Sequence, residues 1–282
     1  MAEVALAEIK ETEATGAVAE IYADLRHALR VPMVNLIFRH MATVPGCLEW
    51  VWGNIGPLYA TGRIVESAAA LMADQPPLPV RLVRAELIAC GLNAAALDGV
   101  LATAEAYGRA NPANLLGLMA LHFILDETPT ARARRKPQRG LPPRPAAVEL
   151  PTLPPMAEPG ALPPETRELL LRLATQLHGP VPRIIPSFYR HFAAWPGLLA
   201  LLAERLAPVI DSGALDEAAR ALGRDAHGVA RVLYLDCPMT RREPPSDAAL
   251  ATLKDLIELF PPNICKMTLI ARAVEAALAE TP

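Results

Sequence analysis

The chain reads as all-α, built from two pseudo-symmetric helical repeats joined by a proline-rich linker. Three observations predict this. The stretch VPMVNLIFRHMATVPGCL at residues 31–48 returns about 150 residues later as VPRIIPSFYRHFAAWPGLL at residues 181–199. Each copy carries a Pro-led apolar helix ending in an Arg-His pair, then a second proline and a glycine that open another helix. Apolar residues elsewhere recur at helical spacing, and the period-two alternation of a half-buried strand is not found. Finally, residues 127–164 shift to recurrent proline and a basic cluster, Arg132, Arg134, Arg135, Lys136 and Arg139, which cannot bury an apolar face. The repeats are therefore expected at residues 1–126 and 165–282, with 127–164 as the linker. The arginines of that linker read as a solvated charge run, or as a dock for an acidic partner or lipid surface.

Taken in order, residues 18–29 place Val18, Ile21, Leu25 and Leu29 on one face of an amphipathic helix. Pro32 suits the first turn of the next helix, over 34–42, until Pro45 forbids continuation. A helix resumes at Cys47, and Gly53, Gly56 and Pro57 predict a kink or break near Asn54. Stretches 63–72, 80–90 and 97–107 are helical, being rich in Ala, Leu, Glu and Arg. Pro112 is expected to open the last helix of the first half, apolar on nearly every face and so buried. Helices near 164–177, 185–194, 197–210, 215–222, 227–235, 246–259 and 262–278 make up the second half. Its closing segment, FPPNICKMTLIARAV, lines up with ANPANLLGLMALHFI of the first, so the repeat is expected to span whole halves.

Composition narrows the function. A net charge of −3 and a pI near 6.1 give no field to gather nucleic acid or anionic membrane. The longest run nearly free of charge, at 113–125, falls well short of the roughly 20 residues a bilayer span needs. The acid-studded N-terminus lacks a basic region followed by an apolar core, so a cytoplasmic location is expected. Cys47, Cys90, Cys237 and Cys265 show neither CxxC nor zinc-ligand spacing and are expected to be reduced and mostly buried. Gly-rich phosphate loops, HExxH and GxSxG are absent as well. No metal or other cofactor is expected, and the partner is expected to be a small molecule.

Several short motifs, in order along residues 10–280, carry a resemblance. They are LRVPMV at 29–34, MATVPG at 41–46, NPxxLL at 111–116, HGP at 178–180 and AxWP at 193–196. With them the chain resembles the group I 2-haloacid dehalogenases, which act on both enantiomers of haloalkanoic acids. More distantly it is similar to the carboxymuconolactone decarboxylase and alkylhydroperoxidase group, whose peroxidase members need a CxxC dithiol that is missing here. The closer resemblance implies an all-helical pseudo-dimer, commonly a homodimer, with one pocket between the repeats for a small carboxylated substrate. It also implies hydrolysis by a water that an aspartate activates and an asparagine holds, without an ester intermediate.

That asparagine corresponds to Asn111, whose place before Pro112 suits either a helix cap or a grip on water. Phe188 stands at the aspartate's position, after Ser187, which matches the family's serine. No Asp or Glu occurs between Glu168 and Glu204, so the family's general base is missing. His191, one helical turn from Ser187 and Phe188, is a candidate replacement, with its repeat mate His40 facing it across a pseudo-twofold. The competing reading is that the two Arg-His pairs only brace their helices; two histidines without a carboxylate also make a poor metal site. Met33, Asn35 and Leu36 replace large aromatics of the family pocket and Asn114 replaces a tyrosine. With Leu115, Phe188 and His40 they are the expected substrate-binding residues. Tyr189, Arg39 and Arg190 could recognise a carboxylate or lie on the surface. Two functions follow: a diverged hydrolase in which Asn111, Ser187 and His191 act, or a binding protein that kept the fold and lost catalysis.

Overall fold

In this computed structural model, which describes residues 6–128, 130, 149–179, 184–238, 240 and 242–279, all regular structure is helical. The first half holds α1 (Gly16–Leu29), α2 (Leu36–Met41), α3 (Cys47–Ala60), α4 (Arg63–Ala73), α5 (Arg84–Ala89) and α6 (Ala94–Leu125). A 3-10 turn at Pro159–Ala161 leads into α7 (Pro164–His178), α8 (Ser187–His191), α9 (Pro196–Asp211), α10 (Ala214–Asp236) and α11 (Asp247–Ala279). The two longest helices, α6 and α11, pack along each other as the central pair. Helix α10 lies against both, α4 against α6, and α9 against α7. The basic cluster from Arg132 to Arg139 lies outside the described residues, as do Pro180 and the start of the second VP motif.

Helix α1 forms for the reason its spacing suggests: Ile21, Tyr22, Leu25 and Leu29 bury one face, and Arg30 ends it in the left-handed region at φ 52°. Four sequence expectations need correction. Asn54 does not break α3. Its Nδ2 donates to Trp50 O at 2.9 Å inside a continuous helix, and the glycines serve close packing, since a Cβ on Gly56 would lie 2.9 Å from the Trp52 ring. Residues 80–83 stay extended, and α5 begins only at Arg84, where the Glu86 carboxylate accepts from Val83 N at 3.2 Å.

The third correction concerns the internal prolines. Pro112 opens no new helix but sits inside α6, and Pro261 and Pro262 likewise sit inside α11. A proline costs one backbone hydrogen bond and crowds the preceding turn. Here the surrounding residues from Ala110 to Leu118 are all buried, so packing on every side holds the helix together across the defect. Gly223 is likewise absorbed into α10, merging two expected helices into one. All four cysteines are free, three of them buried. No helix among the described residues is long and apolar enough to cross a membrane.

Short helices α2 and α8 each end in an Arg-His pair, and each is crossed by an extended strap. His40 Nδ1 donates to Ala7 O at 2.6 Å, and Ile9 N donates to Arg39 O at 3.0 Å. On the other side His191 Nδ1 donates to Pro154 O at 2.6 Å, and Ala157 N donates to Arg190 O at 3.1 Å. A carbonyl only accepts, so both imidazoles carry their proton on Nδ1. Burial pulls His191 down to about 4, with Arg39 and Arg190 pushing the same way and the Pro154 bond resisting. Glu8, in the first strap, then joins the two sides. Its carboxylate accepts from Arg39 Nε at 2.6 Å and from Arg190 Nη1 at 3.2 Å, with the side chain only 11% exposed.

Three outcomes follow from this packing. Replacing Glu8 with alanine leaves two buried guanidiniums facing each other and should lower stability by about 3–5 kcal/mol, measured by urea unfolding. Gly117→Ala would set a methyl 2.6 Å from the Tyr59 hydroxyl in the core, so a loss of about 1–3 kcal/mol is expected in the same measurement. Because His191 stays neutral in the fold and the unfolded chain protonates near 6.5, stability should fall as pH drops from about 6.5 to about 4. His191→Gln should flatten that part of the stability curve relative to the parent chain; an unchanged slope would contradict the assignment.

Candidate functional site

A cavity lies where α2, α6, α8 and α11 meet, with about 60 Å³ of room for the centres of water-sized molecules. A water needs about 10–15 Å³ on that measure, so the space holds a few waters or a ligand of few atoms. Asn35, Leu36 and Ile37 line it from the start of α2, and Pro186, Ser187 and Phe188 from the start of α8, the corresponding positions when the two Arg-His pairs are aligned. Tyr107 and Asn111 project from the middle of α6, and Phe260, Asn263 and Met267 face them from α11. His178 closes one side from the last turn of α7. The walls are mostly apolar, with a handful of polar groups converging on them, which is the usual make-up of a small-molecule site.

Those polar groups are ordered among themselves. Asn35 Nδ2 donates to Asn111 Oδ1 at 2.9 Å, which fixes both amides. Asn111 is thus not a helix cap but an interior residue of α6, 4% exposed. Among the described residues, the buried Asn35 Oδ1 has no hydrogen-bond partner, and neither has His178 Nε2. An unpaired buried acceptor costs about 1–3 kcal/mol, so both atoms favour an occupant able to donate a hydrogen bond. His178 is pushed down to about 4, first by burial and then by the Lys266 ammonium, while the Asn263 side chain works the other way. Lys266 is held there by Leu177 O at 2.9 Å and by Asp216 at 2.7 Å.

Positive charge also backs the opposite wall. Arg39 Nη2 donates to Ser187 Oγ at 3.2 Å while its Nη1 donates to Val34 O at 2.6 Å. Two buried guanidiniums, Arg39 and Arg190, share the single buried carboxylate of Glu8. Glu158 reaches Arg190 Nη2 at 3.3 Å but is half exposed and shared with Lys10. The surplus is felt at Tyr107: burial raises its phenol to about 12, and Arg39, the Ser187 bond and Arg190 pull the other way. No Asp or Glu lines the cavity among the described residues.

The residues singled out from sequence are only partly brought together. Asn35, Leu36, Asn111, Ser187 and Phe188 share this cavity. Met33 and His191 line a second hollow of about 440 Å³ with Arg39, Glu11 and residues 150–154. His40 lines neither; it is spent on Ala7 O. Asn114 and Leu115 line neither and are buried, and Asn114 Oδ1 accepts from the Tyr59 hydroxyl at 3.0 Å. Phe188 is 1% exposed and packs edge-on against Tyr107 and Phe192 at ring distances of 5.4 and 4.6 Å. Sequence reasoning passed over Tyr107, His178 and Asn263. The HGP motif and the alignment of the two closing helices held the signals for His178 and Asn263. Tyr107 carried none beyond its place one turn before Asn111.

No family model matches the sequence. An (R)-2-haloacid dehalogenase of Pseudomonas putida is 32% identical over 99 residues, so the alignment spans only a third of either chain. A configuration-inverting 2-haloacid dehalogenase of Alcaligenes xylosoxydans xylosoxydans is 27% identical over 243 residues, 84% of this chain and 80% of that one. Among solved structures, a D-2-haloacid dehalogenase mutant superposes with a TM-score of 0.73 at 20% identity, covering 97% of this chain and 96% of that one. The complex of a D-2-haloacid dehalogenase with L-LA does so with a TM-score of 0.73 at 19% identity and the same coverage. The sequence relatives and the shared all-helical fold agree, and both make the chain similar to the D-acting and configuration-inverting 2-haloacid dehalogenases, as its motifs imply.

Proposed function

We propose that this protein is a diverged, cofactor-independent hydrolase that takes a small carboxylated molecule, possessing or related to a 2-haloacid, into the cavity between two duplicated halves. The observation that carries this reading is the lining itself. Polar groups from the starts of the two short helices, Asn35 and Ser187, meet over Asn111, and among the described residues no carboxylate lines the space while Arg39 holds Ser187. A carboxylate entering there would accept from Ser187, whose oxygen is already polarised by Arg39, and would be drawn by the uncompensated guanidinium charge. The apolar side of the cavity, with Phe188, Phe260 and Met267, suits a short alkyl or halogen substituent. The unsatisfied Asn35 Oδ1 suits a water hydrogen, so substrate and water would sit side by side over Asn111.

The duplication belongs to the same reading, with residues 1–126 and 165–282 as the two halves, 127–164 joining them, and homodimer assembly as the resemblance implies. Its support is the pairing of roles: His40 with His191, Arg39 with Arg190, and one strap across each pair. A second reading, binding without turnover, is favoured by Phe188. An aromatic ring, buried and packed edge-on, stands where the resemblance puts the family's base, and no carboxylate lines the cavity among the described residues.

Halide release from each enantiomer of 2-chloropropionate, followed beside calorimetric binding of unreactive propionate, separates these readings. Saturable release supports the hydrolase. Propionate binding without release supports the binder, and neither binding nor release removes both. Ser187→Ala should weaken propionate binding about tenfold, as expected for the loss of one charge-assisted hydrogen bond worth about 1.4 kcal/mol.

A further inference from the structure

The missing aspartate leaves the reaction without a proton acceptor, and the cavity contains another. We infer that His178 is the general base, taking the proton of the attacking water on Nε2; the inference rests on the hydrolytic reading above. Three independent observations place it there. His178 lines the same cavity as Asn111 and Ser187, whereas His191 lines the neighbouring hollow. His178 Nε2 is buried with no hydrogen-bond partner among the described residues, and the Asn263 side chain is the polar group beside the ring, so Nε2 is open to an entering water. In the same cavity, Asn35 Oδ1 is a second buried atom, an acceptor without a donor among the described residues. Two unsatisfied acceptors in a space of a few water volumes are what a nucleophilic water, with two hydrogens to give, would satisfy.

The charged groups around the imidazole fit the task. Lys266, from α11, stands beside it and disfavours a resting imidazolium, while Asn263 from the same helix offers a polar contact. Asp216, the acid nearest to that ammonium, is engaged with it. The resting base is therefore neutral above about pH 4, and its proton affinity resembles that of an ordinary carboxylate of pKa about 3.9. A neutral base also has an electrostatic advantage over a carboxylate when the substrate is an anion. It does not repel the substrate, and it becomes a cation as the halide departs.

The step balances without a further reactant. The water oxygen attacks the halogen-bearing carbon from the face opposite the halogen, forming the C–O bond as the C–X pair leaves with X⁻. One water proton passes to His178 Nε2 and the other stays on the product hydroxyl. The imidazolium then returns its proton to solvent.

The test uses the full-length chain with 2-chloropropionate, and propionate as the unreactive probe. His178→Gln should lower kcat by about a hundredfold or more, the usual worth of a general base, while propionate affinity changes less than threefold. Turnover within threefold of the parent would overturn the role of His178 and leave the hydrolase intact. Absence of halide release from the parent, with propionate still bound, would instead overturn the hydrolytic reading and the base with it. If His178→Gln does not fold, nitrogen NMR of the parent decides. An unprotonated Nε2 that responds to propionate supports the assignment, and an Nε2–H tautomer overturns it.

Discussion

The Glu8 carboxylate is shared by two buried arginines, and the geometry of the cavity depends on that sharing. Arg39 ends α2 and Arg190 ends α8, the two short helices whose first residues form the cavity wall. Two like charges would not be buried side by side in a medium of low dielectric without a counter-ion between them. Glu8 supplies one, and it comes from an N-terminal strap that is itself fixed to α2 through His40 and Arg39. The same guanidinium that Glu8 orients holds Ser187 Oγ, so the ion pair is two bonds from the ligand space. Because one carboxylate answers two guanidiniums, the arrangement also leaves positive potential beside the cavity. Structural bracing and, on the proposed reading, attraction for an anionic substrate come from one cluster.

The central pair of helices contributes rigidity of another sort. Asn111 and Asn263 sit next to the prolines of α6 and α11, where backbone bonding is locally interrupted and yet every flank is packed. Asn263 directs its Nδ2 back to Leu259 O at 2.9 Å, occupying a carbonyl within that interrupted stretch. Polar side chains at such points are held by close packing and by each other, as in the Asn35–Asn111 pair. That suits a site that must present amides to a few water molecules without rearranging.

Much of this was legible in the sequence because a motif that recurs makes local geometry visible as text. The repeated Arg-His pair, the Pro-led helix and the matching closing helices predicted an all-helical chain, and five of the ten singled-out site residues do meet in one cavity. Where the reading failed, the cause was physical. Pro112, Pro261 and Pro262 look like helix starts to any local rule, and only burial on all sides lets a helix run through them. Glu8 is one acid among several in an N-terminal stretch, and nothing local distinguishes the one that will be buried. His191 and His178 are both histidines of the second half; which one faces the cavity depends on where Pro154 places its carbonyl, a contact across 37 positions of sequence.

The claim on which the account turns is that a small carboxylate sits between Ser187 and Asn111. A crystal structure of the full chain soaked with 2-bromopropionate, with bromine located by anomalous scattering, tests it most directly. The account predicts the carboxylate at Ser187 and the bromine against Phe188, Phe260 and Met267. Bromine found only elsewhere, with the cavity still filled by water, would contradict it.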